Sequence, residues 1–474
     1  MSAPRWFDFD NGDALARGLP RSLGVPPWLC RCVCASLLLA SISGCSSNRS
    51  AEDPTAFDMT YFDRQEAEQK AKRAAVVSAG LWADEDATGR RIGVILPLQG
   101  ASRRAGDSVL AGMMAGYWAD DPEQRARLTF YTEEQYGSLA RAYATALDNG
   151  AEVIVGPLQK DAVQRMVETT IIAKPTIALN TTKSPGWQER NLYQFSLAIE
   201  EEAINAARAL YASGYRRVFL LYEDNDVGNR AMRAFSSEML RQDGRIADTL
   251  VFGADALSYD VQAQQIADAT HRVKVFSLNP QEQRYQVFRD GDAVFVAGER
   301  EGIAGMTRAL RAAGIAELPI VTTSHGDSLD PALNDVYMVD MPWMVDAQMR
   351  TEVWGRTPVD FQGEARRLDE RLFAMGMDGY RLARNIQWMG QNRDRRLDGV
   401  TGVMTIDGAG RVERTLVLAT REGSKMRVVT LPQVTPNQSQ PIGEIIVRDG
   451  VESAVAVGAP SPWGFQLRNP FSKS

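Results

Sequence analysis

The chain has 474 residues, 44% of them hydrophobic and 24% charged, which is enough to bury one large core or two medium ones. Its 53 basic and 60 acidic residues give a formal net charge of −7 at pH 7, and neither sign forms a long run. This composition excludes a fibrous or disordered chain. It also argues against a nucleic-acid partner, because no cluster of Lys and Arg stands out that could follow a phosphate backbone.

The amino terminus has the layout of a bacterial secretory signal. An apolar run from Val33 to Ala40 follows Arg31 and is too short to cross a bilayer stably. The four cysteines all lie within the first 45 residues, which excludes disulfides, thiolate zinc sites and cysteine nucleophiles from the rest of the chain. These cysteines are Cys30, Cys32, Cys34 and Cys45.

The sequence Ile42-Ser43-Gly44-Cys45 resembles a bacterial lipobox, in which an aliphatic residue and two small residues precede a lipidated cysteine. The resemblance implies that residues 1–44 are a signal peptide and that Cys45 carries acyl chains, which together anchor a protein almost permanently. Ser46 in place of an aspartate implies sorting to the outer membrane, facing the periplasm. The signal is long, which a start codon assigned too far upstream would explain. An ordinary cleavable signal with an incidental cysteine is the alternative.

Two regions differ in composition from the chain between them. Residues 45–89 begin with the cysteine whose lipidation the lipobox resemblance implies, and their composition, polar at first and then rich in Ala, Glu and Lys, predicts a tether. Residues 432–474 contain many prolines among Ser, Gln and Gly, which predicts a disordered tail. The folded body is therefore expected at residues 90–431.

Within that body, short apolar runs alternate with segments of helical periodicity. The strand candidates are Ile92–Leu96, Leu128–Tyr131, Val153–Val155, Thr176–Leu179, Val218–Tyr222, Ala293–Ala297 and Pro319–Thr322. β-Branched runs that alternate with helices of this length indicate βαβ units and parallel sheets covered on both faces. The pattern predicts an α/β fold with two doubly wound parallel-sheet lobes, one before Phe195 and one after it.

Several blocks along the body resemble known families. Ile92–Leu98, Val155–Leu158 and Val218–Asp224 resemble the type I periplasmic binding proteins, which include branched-chain amino-acid receptors. Four further blocks look like the LppC family, and they are Leu318–Ser324, Asp340–Met344, Ala374–Leu382 and Leu397–Val403. The match covers essentially all of residues 90–420. Compared with the enterobacterial members, the resemblance implies a departure: only a tether is expected where they have a long amino-terminal domain of tetratricopeptide-like helices.

The resemblance implies three crossings between the lobes, near Phe195, Ser324 and Asp398. The first lobe would then hold about residues 90–196 and 327–397, and the second about 197–324 and 398–431. In amino-acid receptors of this fold, hydroxyls and backbone amides at strand ends hold the ligand carboxylate. The corresponding cleft candidates are Gln99, Ser102, Asn180, Thr181, Thr182, Ser324 and His325. The same residues are ordinary in turns, so a structural role is the alternative for each of them.

The sequence offers little for catalysis. It contains no nucleophile elbow, dinucleotide fingerprint or Walker loop, and its only histidines are His271 and His325. Glu200-Glu201-Glu202 could act as an acid–base cluster, but it is expected to be a solvated helix start that favours the helix dipole. Asp224–Gly228 lacks the distal glutamate of a calcium loop and is expected to cap a helix.

The LppC resemblance implies an outer-membrane lipoprotein that binds and activates a class A penicillin-binding protein, a peptidoglycan synthase. No enzymatic activity, cofactor or metal is expected of the chain itself. A lipid-anchored solute-binding receptor of an amino-acid-type ABC transporter is the alternative, and a dehydrogenase-like enzyme is a more distant one. A small-molecule ligand in the cleft is neither indicated nor excluded by the sequence.

Overall fold

A computed structural model describes ten ranges of the chain. They are residues 89–182, 191–270, 272–275, 277–288, 292–315, 318–346, 365–392, 394–434, 441–448 and 451–456. The predicted signal peptide, the lipidation site at Cys45 and residues 46–88 of the predicted tether lie outside them, as does His271.

The first lobe is built around a five-stranded parallel sheet with the order β2-β1-β3-β4-β5. Its strands are β1 (Arg91–Ile95), β2 (Arg127–Tyr131), β3 (Val153–Val155), β4 (Thr176–Ala178) and β5 (Leu192–Gln194). The helices between them are α1 (Arg103–Ala119), α2 (Glu133–Tyr136), α3 (Leu139–Asp148) and α4 (Lys160–Thr169). Every residue of β3 and β4 is buried, as expected for parallel strands covered by helices on both faces.

The second lobe begins at residue 199. In chain order the remaining elements are α5 (Ile199–Ala212), β6 (Arg217–Glu223), α6 (Asp226–Arg241), β7 (Arg245–Phe252), α7 (Ala256–Ala269), β8 (Arg272–Val275), β9 (Glu282–Phe288), β10 (Asp292–Ala297), α8 (Arg300–Ala312), β11 (Ile320–Thr322), β12 (Tyr337–Asp340), α9 (Pro342–Val345), α10 (Ala365–Gly390), β13 (Leu397–Gly399), β14 (Gly402–Ile406), β15 (Val412–Thr415), β16 (Val417–Glu422), β17 (Lys425–Val428), β18 (Pro441–Arg448) and β19 (Val451–Ala456). A seven-stranded sheet with the order β17-β16-β12-β11-β10-β6-β7 forms the centre of the second lobe. Five of these strands are parallel, and β16 and β17 join them in antiparallel orientation.

The predicted α/β fold class, with two doubly wound lobes, is confirmed by these two sheets. Each lobe combines separate segments of the chain, because α10 packs along α1 of the first lobe whereas β16 and β17 return to the second sheet. The assignment of residues 327–340 to the first lobe was wrong. After β11 the chain makes two short 3-10 turns, Ser324–Gly326 and Pro331–Leu333, and then re-enters the same sheet as β12.

The prediction of a disordered tail from residue 432 was wrong for residues 441–456. Here β18 and β19 form a hairpin, and β18 also pairs with β9, which gives a four-stranded antiparallel sheet with the order β19-β18-β9-β8. Two arginine–glutamate pairs cross between β9 and β18, Arg284 with Glu444 and Arg448 with Glu282. The prediction gave weight to the prolines around this segment. It overlooked the alternation of apolar and polar residues on either side of Asp449-Gly450, a dipeptide that favours hairpin turns.

Glycines allow the backbones of α1 and α10 to touch. A Cβ atom at Gly112 of α1 would overlap the carbonyl oxygen of Phe373, and one at Gly376 of α10 would overlap that of Val109. Neither oxygen can move without shifting its helix, since both belong to the backbone. The close packing of these two helices therefore depends on the absence of side chains at the crossing.

We expect Gly376→Ala to lower the free energy of unfolding by about 1–3 kcal/mol, the usual cost of overpacking a well-packed site. Gly379 provides a matched control on the same helix, because its added Cβ would meet Leu179 and Val155 at 3.6 and 3.7 Å, ordinary contact distances. Gly379→Ala should be neutral or stabilising by up to about 1 kcal/mol, since alanine favours a helix. Urea denaturation of both variants measures the difference, and equal stabilities would contradict this account.

Candidate functional site

A cavity of about 560 Å³ lies where the carboxyl ends of β3 and β4 meet the first crossover, α5, α10 and β15. Its apolar lining residues are Leu158, Leu179, Leu197, Ala198, Ile204, Leu368, Leu372, Met375 and Val412. Its charged lining residues are Lys160, Glu200, Glu201, Arg208, Arg230, Arg411, Glu413 and Arg414. A location at strand ends is where ligands bind in open α/β sheets, so this cavity is the candidate functional site.

Two of the predicted cleft residues, Asn180 and Thr181, line this cavity. Each of them makes a hydrogen bond within the protein: the Asn180 amide nitrogen donates to the Leu158 carbonyl at 3.1 Å, and the Thr181 N–H donates to the Asn180 side-chain oxygen at 3.0 Å. The neighbouring Thr182 donates its N–H to Gln194 at 2.8 Å. The Asn180 amide and the backbone N–H groups of Thr181 and Thr182 are therefore already engaged by protein acceptors and are not open to a ligand carboxylate.

The other predicted cleft residues lie away from the cavity wall. Gln99 is exposed, and the Ser102 hydroxyl accepts a hydrogen bond from Gln159 at the start of α1. On the second lobe, Ser324 donates both its N–H and its hydroxyl to Glu202, at 2.8 and 3.0 Å. His325 is a partly exposed loop residue whose Nδ1 atom lies 2.9 Å from Glu299.

The three glutamates that open α5 are not a solvated helix start, and that expectation was wrong. Glu202 is 4% exposed, and Glu201 bonds to the guanidinium of Arg414 with an Nε–Oε2 distance of 2.8 Å. Glu200 is more exposed but makes two bonds of 2.8 Å to Arg230. The error arose because the first turn of α5 faces distant parts of the chain, which periodicity alone cannot show.

Burial and arginine pairing act against each other on these carboxyl groups. Burial raises the pKa of Glu201, although Arg414 opposes it. On Glu200 burial is also the largest influence, but the hydrogen bonds and charge of Arg230, helped by Lys160, hold its pKa below the ordinary value. The glutamates of the cavity wall are thus paired with arginines of the protein itself.

A second buried network joins the lobes beside the cavity. Arg371 of α10 places its Nη2 atom 2.6 Å from Asp340 and its Nη1 atom 3.5 Å from Glu202. Asp340 is fully buried, and burial, with Glu202 adding to it, outweighs Arg371 and raises the pKa of Asp340 to about 7. Because α10 packs on the first lobe while both carboxylates belong to the second, Arg371 ties the lobes together.

Three of the four blocks that resemble the LppC family meet at α10. Asp378 accepts hydrogen bonds from the N–H groups of Val400 and Thr401, at 3.0 and 2.7 Å, and from the Thr401 hydroxyl at 2.6 Å. The N–H of Trp343 donates to the carbonyl of Val400 at 2.9 Å, and its ring packs against Phe373 with centroids 5.5 Å apart. These blocks therefore hold the later lobe crossings in place.

Neither a metal site nor a membrane span is found in the described part of the chain. No group of three or more His, Cys, Asp or Glu side chains there could hold a metal ion. Across the same ranges, no helix combines the length and apolar character that a membrane crossing needs. The segment Asp224–Gly228 caps a helix as expected, since the Asn225 side chain accepts from the Gly228 N–H at 2.8 Å.

Comparison with known proteins identifies the family. The sequence model of the family described as "LppC putative lipoprotein" matches residues 79–422. The chain belongs to the LppC family. This membership confirms the resemblance inferred from the blocks.

Among the LppC relatives, the penicillin-binding protein activator LpoA of Photobacterium profundum is 24% identical over 348 residues. The aligned region is 69% of this chain and 54% of that protein, so the chain spans about half the length of the curated relative.

Two solved structures share the fold of this LppC protein. The LpoA C-domain from Haemophilus influenzae, described as a regulator of PBP1A, superimposes with a TM-score of 0.55 at 21% identity and covers 72% of this chain and 100% of that one. A putative branched-chain amino acid ABC transporter protein from Chromobacterium violaceum gives a TM-score of 0.54 at 25% identity, covering 70% and 100%. These likenesses confirm the type I periplasmic-binding-protein fold.

Proposed function

We propose that this protein is an outer-membrane lipoprotein, anchored through Cys45, whose periplasmic body binds and activates a class A penicillin-binding protein. In this role the body acts through protein contact and does not itself carry out a reaction. The observation that carries the proposal is membership of the LppC family over residues 79–422, because relatives in that family are named penicillin-binding protein activators.

The state of the strand-end groups supports a regulatory role over solute capture. An amino-acid receptor needs open hydroxyls and amides at this edge to bind the ligand carboxylate. Here the side chain of Asn180 and the amides of Thr181 and Thr182 are bonded to protein groups, and Ser324 is bonded to Glu202. Capturing a zwitterion at these groups would first have to break these bonds, which lowers the net gain from binding.

The test uses residues 46–474, since the body extends through β19 and truncation at residue 431 would remove strands of the four-stranded sheet. Mixed with purified class A penicillin-binding proteins of the same cell, this protein should bind at least one of them and increase its rate of glycan polymerisation or peptide crosslinking. An amino-acid receptor of the same fold provides the control and should leave both rates unchanged. Absence of both binding and stimulation for every class A synthase would refute the proposal.

A lipid-anchored solute receptor of an amino-acid-type transporter is the second candidate. The cavity of about 560 Å³ and the likeness to the Chromobacterium violaceum protein favour it. A screen of the common amino acids by thermal shift separates the two candidates, because a receptor should be stabilised by about 2.7 kcal/mol at a ligand concentration 100 times its Kd. A protein that activates a synthase and shows no such stabilisation fits the first candidate.

The anchor is tested by removing its thiol. We expect Cys45→Ala to release the protein from the outer membrane, because no acyl chain can then be attached, and several chains on one cysteine are what makes such anchoring permanent. Cys34→Ala is the matched control, since it changes a cysteine inside the apolar run of the signal and should leave fractionation unchanged. Outer-membrane localisation of Cys45→Ala equal to that of the control would contradict the assignment.

A further inference from the structure

One wall of the cavity is an apolar face of α10. Leu368, Leu372 and Met375 lie at helical spacing along this face, and they line the cavity together with Leu158 and Leu179 from the strand ends of the first lobe. Leu368 is 58% exposed although it is part of this otherwise buried cluster. A continuous apolar strip of this kind favours a ligand with a hydrocarbon chain, because burying apolar surface is the main favourable term in such sites.

The positively charged residues of the cavity wall differ in whether a carboxylate lies within ion-pair distance. Each of the four arginines lies within ion-pair distance of a carboxylate, and the pairs are Arg208 with Glu238, Arg230 with Glu200, Arg411 with Asp407 and Arg414 with Glu201. Among the described residues, no ion pair within 4.0 Å involves Lys160, which is exposed at the start of α4 and also lines the cavity. The wall therefore offers, in the same cavity as the apolar strip, one positive charge that no carboxylate contacts within 4.0 Å, although this charge acts at longer range to lower the pKa of Glu200.

We propose that the cavity binds an apolar monocarboxylate, with its hydrocarbon chain along Leu368, Leu372 and Met375 and its carboxylate beside the ammonium group of Lys160. One cation matches one negative charge, so a dianion or a cation would be left uncompensated. A zwitterionic amino acid fits less well, because its ammonium group would need an acceptor and the nearby glutamates already serve arginines. The cavity volume of about 560 Å³ lies within the range of small-molecule sites.

The test measures binding of decanoate to the mature chain carrying Cys45→Ala, by calorimetry and by thermal shift. Decanoate should bind and raise the melting temperature, whereas decylammonium and leucine should do neither. Lys160→Gln should weaken decanoate binding roughly fivefold, the effect of losing one exposed ion pair. Leu368→Gln should weaken it roughly threefold to tenfold by removing apolar contact. Both positions are exposed, so neither substitution is expected to disturb folding.

Matched controls are Lys174→Gln and Leu329→Gln, which alter an exposed lysine and an exposed leucine outside the cavity lining and should leave decanoate binding unchanged. The proposal is overturned if decanoate fails to bind, if decylammonium binds as tightly, or if the cavity variants bind decanoate as well as the controls do. Binding of leucine in place of decanoate also overturns it and supports the solute receptor. None of these outcomes depends on the synthase assay, so the regulatory role is judged separately.

Discussion

Replacing Arg371 with methionine should lower the free energy of unfolding by about 3–5 kcal/mol at neutral pH, the range measured when one partner of a buried ion pair is removed. The guanidinium of Arg371 lies 2.6 Å from Asp340 and 3.5 Å from Glu202, and neither carboxylate is solvated. Without the arginine, the buried carboxyl groups of Asp340 and Glu202 face each other with no cation between them. Methionine keeps much of the volume, so the loss reports the charge and not a cavity.

The effect of Arg371→Met should depend on pH. Burial raises the pKa of Asp340 to about 7, above about 3.9 in an unfolded chain. The native state therefore binds this proton more tightly, so the stabilising contribution is complete below about pH 4 and is lost as the pH rises through about 7. Removing Arg371 raises the pKa further, because the positive charge that favoured the ionised form is gone. At pH 4–5 Asp340 is protonated in both proteins, so the difference between variant and parent should be smaller there than at pH 8, by up to about 1.4 kcal/mol for the one pH unit above the parent pKa.

Urea denaturation across this pH range measures the effect. Arg427→Met is the matched control, because Arg427 also pairs with a carboxylate, that of Glu422, but both side chains are more than half exposed. An exposed pair of this kind contributes only about 0–1 kcal/mol. Equal losses for the two variants, or a loss from Arg371→Met that does not change with pH, would show that the buried network does not tie the lobes together.

Asp378→Ala is expected to cost about 2–4 kcal/mol, because it leaves buried donors without an acceptor at about 1–3 kcal/mol each. Asp378 is fully buried and accepts from the N–H groups of Val400 and Thr401 and from the Thr401 hydroxyl. Gly399 also depends on this arrangement, because a Cβ atom there would overlap the Asp378 carboxylate. The loop between β13 and β14 should therefore loosen in the variant, and amide hydrogen exchange at Val400 and Thr401 should accelerate.

Asp398→Ala provides the control for this second variant. Asp398 belongs to the same family block as Val400 and Thr401 and is exposed, so its replacement should change stability by no more than about 0.5 kcal/mol. Asp378→Asn should fall between the two, since an amide keeps one acceptor oxygen but turns a donor toward the remaining N–H. If Asp378→Ala is as stable as Asp398→Ala, the buried carboxylate is not what holds this crossing.

The central strands were predictable because their signal is local. Val153–Val155 is a strand in both the sequence pattern and the structure, and the candidate at Val218–Tyr222 differs from β6 by one residue at each end. A parallel strand buried on both faces needs a continuous apolar run, and such a run is visible without knowledge of its neighbours. The four-stranded sheet was missed because β9 and β18 carry charged residues, such as Arg284 and Glu444, that pair across the sheet.

The cavity was predictable only in part. The rule that ligands lie at the carboxyl ends of parallel strands correctly pointed to Asn180 and Thr181. It could not point to Leu372 or Arg414. Both residues lie roughly two hundred positions after β4 in the sequence, and they reach the cavity only through tertiary packing. The acidic start of α5 was the one available signal, and it favoured solvent exposure because a helix dipole explains such residues equally well.

The amino-acid sequence by itself determined the α/β class, the two runs of strands and the LppC membership, since each depends on local periodicity or on short blocks in a set order. Only the tertiary structure decided where the lobes divide and which charges meet. Arg371 reaches Glu202 across the lobes, and Asp378 receives the amide of Thr401. Such contacts join residues that are far apart in the chain, and their free energy comes from being buried together. A linear pattern cannot contain that information, because burial exists only once the chain has folded.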